Sequence, residues 1–141
     1  MATYNKFNVF TENMAEKVHN LASDTLKVML TNTAPLATNS VKADLTEISA
    51  GNGYTAGGTQ ATQSSSSQSS GTYKLVLDDV VFTASGGSIG PFRYAVLYND
   101  TPTSPADPLI GFWDYGSSVT TAATETFTVD FSAVNGVLTV A

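Results

Sequence analysis

Gly86-Gly87-Ser88-Ile89-Gly90-Pro91-Phe92-Arg93-Tyr94-Ala95-Val96-Leu97-Tyr98-Asn99-Asp100 is the stretch whose reading decides the architecture. It is a glycine-punctuated entry into an apolar run that closes on an Asn-Asp turn. Side chains of a strand point alternately to its two faces, so Phe92, Tyr94, Val96 and Tyr98 are expected on one side and Arg93, Ala95, Leu97 and Asn99 on the other. Both sets are largely apolar. That predicts a strand covered on both faces at the centre of a packed sheet, where aromatic and β-branched side chains fit the pleat. Arg93, the only arginine of the chain, lies inside this run and is expected to form a buried or interfacial ion pair with a carboxylate such as Asp114 or Asp130.

Downstream, Asp100 to Pro108 carries prolines that cannot join a central strand. Leu109 to Tyr115 then returns as a strand apolar on both faces and is expected to end at Gly116-Ser117-Ser118. The two strands read as the antiparallel centre of a sheet. Residues 125–131 alternate cleanly, with Phe127, Val129 and Phe131 opposed to Thr126, Thr128 and Asp130. Asn135-Gly136 is the strongest hairpin dipeptide, lengthened by Ser132 to Val134, and Val137 to Val140 closes the chain as a strand.

Upstream, Tyr73 to Leu77 places Tyr73, Leu75 and Leu77 on one face, whereas Val80 and Phe82 follow after Asp78-Asp79. The change of parity predicts a bulge or bend at the two aspartates, which read as solvated bend residues. Thr59 to Thr72 is nearly all Thr, Gln, Ser, Ala and Gly and reads as a loop leading into an edge strand. In Gly51 to Gly58 the glycines surround Tyr54. A phosphate cradle needs a strand before it and a helix after it, and neither pattern is present, so the glycines read as tight turns that place Tyr54 as a packing plug. Thr25 to Thr31 alternates as a half-buried strand, Asn32 to Ser40 is a loop, and a short strand is expected around Val41 to Leu45. Phe7, Phe10, Met14, Val18 and Leu21 recur at spacings of three and four, predicting one amphipathic helix within residues 5–22.

The chain has 141 residues, no cysteine, a net charge of −6 and 13% charged residues, about half the usual share. Disulfides and Cys-ligated metals are excluded. The acidic surface disfavours nucleic acid and anionic membranes. No apolar run is long enough to span a bilayer, and the first residues lack the pattern of a secretory signal, which places the chain in the cytoplasm or in something assembled there. Low charge also suits surfaces covered by other subunits.

Few groups could catalyse anything. His19 is the only histidine and reads as a structural surface residue on the helix, so no histidine-centred triad or two-histidine metal site can be built. Asp100, Asp107 and Asp114 could supply a carboxylate pair beside Phe112, Trp113 and Tyr115, but these rings read more simply as core. No catalytic, cofactor or metal residue is assigned. About eight strands, one helix and long polar loops predict an all-β fold, an antiparallel β-sandwich, jelly-roll-like, with a short N-terminal helix. Residues 1–22 form an N-terminal arm and helix packing on the sandwich, and residues 23–141 the single sandwich domain. An immunoglobulin-like sandwich is the alternative.

Tyr4-Asn5-Lys6-Phe7, Ser23-Asp24-Thr25-Leu26-Lys27-Val28, Thr46-Glu47-Ile48 with Gly51-Asn52-Gly53-Tyr54 and Gly57-Gly58, and Gly90 to Asp100 together resemble a family of small virion structural proteins of tailed bacteriophages. The resemblance implies a non-enzymatic head decoration, or cement, protein without cofactors. Such a subunit would form homotrimers on the capsid exterior, clamp neighbouring major capsid proteins and assemble in the host cytoplasm. On this reading Tyr4, Phe7, Phe10 and Arg93 are expected at an interface with the capsid or a sister subunit. The alternative is a tail or fibre module that binds host glycan, with Tyr54, Trp113 or Tyr115 as exposed stacking platforms.

Overall fold

In the computed structural model, which describes residues 2–141, the organising stretch forms β7, Ile89–Asn99. It pairs antiparallel with β2, Leu26–Thr31, on one side and with β8, Leu109–Thr121, on the other. The short strands β1, Tyr4–Lys6, and β3, Thr59–Ala61, complete a sheet of order β1-β8-β7-β2-β3. Opposite it lie two smaller antiparallel sheets. One has the order β10-β5-β4, made of Leu138–Val140, Thr72–Leu77 and Gln63–Ser69; the other pairs β6, Val80–Thr83, with β9, Thr126–Val129. The result is an all-β sandwich of antiparallel sheets with one short helix, α1, Asn8–Ala15.

The central sheet is covered on both faces, as its composition requires. Leu26, Val28, Leu30, Leu97 and Ile110 pack against Leu75, Leu77, Val80, Phe82 and Leu138 of the opposing layer. On the other face Met29, Val96, Tyr98 and Leu109 are closed off by Phe7, with Val9, Leu45 and Phe112 around them. Each fully buried aliphatic side chain contributes about 1.5–3 kcal/mol relative to exposure, so strands with two apolar faces anchor the fold.

Strict alternation fails at one point of β7. Phe92 shares the interlayer core with Ala95 and Leu97 rather than the opposite face with Val96 and Tyr98. The register shifts between Ile89 and Phe92 and again between Phe92 and Tyr94, where β8 supplies extra residues opposite Arg93. The first irregularity adds a residue to β7 and the second adds residues to β8, so the ladder is broken on both sides of Phe92 and the alternation of β7 breaks there with it. The same irregular pairing keeps β8 going beyond Gly116, because Val119 and Thr121 still meet Phe92 and Ile89.

The N-terminal helix is shorter than the apolar spacing implies. Tyr4 to Lys6 are held extended by pairing with Gly111 to Trp113 of β8, and Lys17 at φ 66° reverses the chain after α1. Phe7 therefore enters the outer cluster and Phe10 and Leu21 the interlayer core, so the expected stripe is divided between two cores. His19 lies past the helix and is buried, not at the surface, with its ring 5.3 Å from that of Phe10.

Other local expectations change with their partners. Lys42–Asp44 is a short 3-10 helix, not a strand, with only Val41 bridging to Pro108. Most of Thr59 to Thr72 is strand, since β3 and β4 borrow apolar neighbours in β2 and β5 that the segment itself lacks. Asn135-Gly136 makes a turn, with Gly136 N–H donating to Ser132 O at 2.9 Å, but no hairpin, because β9 pairs with β6 and β10 with β5. The expected bend at Asp78-Asp79 is present. Both residues are exposed, and the chain passes there from the three-stranded to the two-stranded sheet. Asp79 Oδ1 accepts the Phe131 N–H at 2.8 Å and ties the corner to the end of β9.

Tyr54 is the plug its glycines suggest, at 3% exposure. β3 covers β2 only as far as Val28, and beyond it the Leu30 N–H donates to the Tyr54 hydroxyl at 3.0 Å. That hydroxyl in turn donates to Glu47 Oε1 at 2.7 Å, so a side chain continues the ladder where the strand runs out. Gly58, at φ +79°, is required for this approach, since a Cβ there would sit 1.9 Å from the Val28 carbonyl oxygen.

Candidate binding groove

One side of the sandwich is open between β8 and β9. The opening is a cavity of about 650 Å³ whose lining includes Tyr4, Arg93, Trp113, Tyr115, Phe127 and Phe131. Tyr4 pairs with Trp113 across the β1–β8 ladder, and its ring occupies the space over Gly111, where any Cβ would lie 2.1 Å from Tyr4 Cε2. Two ring sets line the groove. In one, Trp113 lies 5.4 Å from both Tyr4 and Phe131; in the other, Phe127 lies 4.8 Å from Phe92 and 5.6 Å from Tyr115. Tilted and edge contacts of this kind place a ring's positive rim against a neighbour's negative face.

Arg93, one of the lining residues, is held by a two-pronged ion pair with Asp114, which lies outside the lining. Arg93 donates from Nε to Asp114 Oδ1 at 2.7 Å and from Nη2 to Oδ2 at 2.9 Å, and Gly116 N–H also donates to Oδ1 at 2.8 Å. The pairing of Arg93 with Asp114 is as expected. The side chains are 39% and 38% exposed, so the pair is half-open and not buried. The shared hydrogen bonds raise the Arg93 pKa, and those from Arg93 and Gly116 lower that of Asp114. Both groups stay charged, and the guanidinium also lies over the Tyr94 ring, 5.4 Å from its centroid. Burial pushes the Tyr4 phenol well above its ordinary value, so it stays protonated.

Of the residues expected at an interface, Tyr4 and Arg93 therefore meet in one site. Phe7 and Phe10 do not. At 0% and 4% exposure they are consumed by the chain's own cores and offer a partner no surface in this conformation. Trp113 is half-buried, Tyr115 is 55% exposed, and Phe112, expected beside them, turns to the opposite cluster. The contribution of Phe127 and Phe131 was hidden in the clean alternation of residues 125–131. The available signal was the repeated aromatic parity, Trp113 with Tyr115 and Phe127 with Phe131.

The remaining titratable groups lie elsewhere. Asp100 pairs with Lys27 at 2.9 Å, and Asp107 has its pKa raised by burial and by Asp100; neither joins Asp114. His19 Nδ1 accepts from Asn99 Nδ2 at 3.0 Å, and that amide also donates to Asp24 Oδ2 at 2.7 Å. Burial lowers the His19 pKa to about 4, with Asp24 opposing the shift. Among the described residues no group of three or more His, Cys, Asp or Glu could hold a metal ion. Comparisons with protein-family models, curated proteins and solved structures find no match to the chain.

Proposed function

We propose that the chain is a non-enzymatic structural subunit of a tailed-bacteriophage virion, a capsid decoration (cement) protein that bridges major capsid proteins on the outside of the head. The observation that carries the reading is the groove. It offers Trp113, Tyr115 and Arg93, the residue types that dominate binding energy at protein interfaces, around a partly desolvated apolar floor. The paired β7–β8 strands, with β7 largely buried, supply the rigidity such a clamp needs, because little ordering entropy remains to be lost on docking. A subunit that binds only the mature lattice stabilises it by mass action.

The test is binding to heads purified without this chain. Tyr115→Ala, at an exposed position that leaves the cores intact, should weaken occupancy by roughly thirtyfold, as for loss of a central aromatic contact of about 2 kcal/mol. Heads carrying the wild-type chain should withstand higher temperature than bare heads. Unchanged occupancy for the variant, or no binding by the wild type, refutes the assignment.

One observation favours a second reading, a tail or fibre module that binds host glycan. The Tyr115 ring has an open face on which a sugar could stack. Tyr54 cannot contribute, being 3% exposed, and Trp113 is flanked by Tyr4 and Phe131. Retention of the wild type, but not of Tyr115→Ala, on host surface polysaccharide would favour this reading over the first.

A further inference from the structure

Among the described residues the sandwich has six sheet-edge strands, and five of them are short: β1, β3 and β10 have three residues each, β6 and β9 four. β8 is also uncovered beyond Trp113, where β1 ends, but its register is broken there; β4, Gln63–Ser69, is the long regular edge, with seven residues. An edge strand presents unpaired N–H and C=O groups, and folded proteins ordinarily guard such an edge by shortness, lysine, proline or a bulge. β4 has a register shift only at its start, between Gln63 and Ser65, and is regular from Ser65 to Ser69. It carries no proline and no charge; indeed no charged residue lies between Glu47 and Lys74.

The direction of its free groups follows from the turn. Ser70 and Gly71, at φ 52° and 84°, form a two-residue loop closed by the pair Ser69 and Thr72. Closing residues of such a loop exchange hydrogen bonds with each other, and pairs alternate along the ladder. Ser67 and Ser69 thus turn their backbone groups to β5, whereas Ser66 and Gln68 direct theirs to the open edge.

We propose that β4 is a self-association site, at which two copies of this chain join their β4 strands antiparallel about a two-fold axis into a continuous six-stranded sheet. Charge selects a second copy as the occupant. Two molecules of net charge −6 repel wherever their carboxylates face each other, and β4 itself brings no carboxylate to the contact, while Lys17 lines the same cavity as Ser66. A run of Ser64-Ser65-Ser66-Ser67 is also self-complementary, because cross-strand serines hydrogen-bond to one another and a two-fold interface needs the same patch on both sides. The inference stands independently of the capsid reading, and it sets an even-numbered assembly against the three-fold one that the resemblance implies.

Sedimentation equilibrium of the purified full chain tests it. The wild type should be a dimer. Ser66→Pro removes an outward N–H from each strand without touching the bonds to β5, and the dimer Kd should rise roughly tenfold or more. Since Ser66 Oγ also contacts the Tyr73 hydroxyl at 2.8 Å, a second variant guards against misfolding. Ser65→Glu with Ser67→Glu, at exposed positions, sets carboxylates against each other across the axis and should yield monomer with an unchanged far-ultraviolet spectrum. A wild-type monomer at all concentrations, a trimer, or a dimer indifferent to the Glu substitutions overturns the proposal.

Discussion

Tyr54 shows how much one hydroxyl can do. It satisfies the Leu30 N–H inside the core and is itself held by Glu47, which also accepts the Gly57 N–H at 2.6 Å and pairs with Lys42 at 3.1 Å. Tyr54→Phe keeps the ring but strands a buried donor, at a cost of about 1–3 kcal/mol. Thermal denaturation should show a midpoint lower by roughly 3–10 °C for a domain of this size. His19 makes the opposite kind of demand. Held neutral by burial, its folded pKa of about 4 lies below the ordinary 6.5, so the unfolded chain takes up the proton first. Its stability contribution is complete above pH 6.5 and declines as pH falls toward 4, by roughly 3 kcal/mol in all. Denaturant midpoints measured across that window should fall for the wild type, and His19→Gln should flatten the fall.

Among the elements, β1 and its junction with α1 are built into the sandwich. Phe7 N–H donates to the Ile110 carbonyl at 3.2 Å, and the Phe7 ring meets Phe112 at 5.1 Å in the cluster beneath β7. Phe7→Ala should cost about 3–5 kcal/mol by leaving a cavity there, read as a lower denaturant midpoint with the slope unchanged. Deleting this segment to test partner binding would also remove core contacts and a sheet strand, so Tyr115, exposed and outside the cores, is the better target. β8 illustrates the other lesson. Its pairing with β7 was legible because both runs are apolar on two faces, but its extra residues opposite Arg93 were not, since a bulge depends on how two distant strands fit together.

In the whole molecule, the two ends of the chain are tied into opposite layers, β1 onto β8 and β10 onto β5. The aromatic groove and the β4 edge are consequently separate surfaces. The groove lies between β8 and β9, and β4 forms the margin of the three-stranded sheet. One surface is rich in rings beside Arg93 and the other is hydroxylic, so the proposed partner contact and the proposed self-association use different residues. The acidic balance reinforces this division by discouraging contacts elsewhere.

Hydrophobic alternation along 141 residues was enough to establish an all-β chain, the β7–β8 centre, the corner at Asp78-Asp79, the buried role of Tyr54 and a carboxylate partner for Arg93, with Asp114 and Asp130 both open. These depend on local period and on complementary charge, both written in neighbouring residues. Packing was needed to turn Phe92 to the other face, to shorten the helix, to make the serine run a strand and to gather Tyr4, Trp113, Tyr115, Phe127 and Phe131 around one opening. Register and edge pairing arise between segments far apart in the chain, where a single inserted residue changes the face of every side chain that follows.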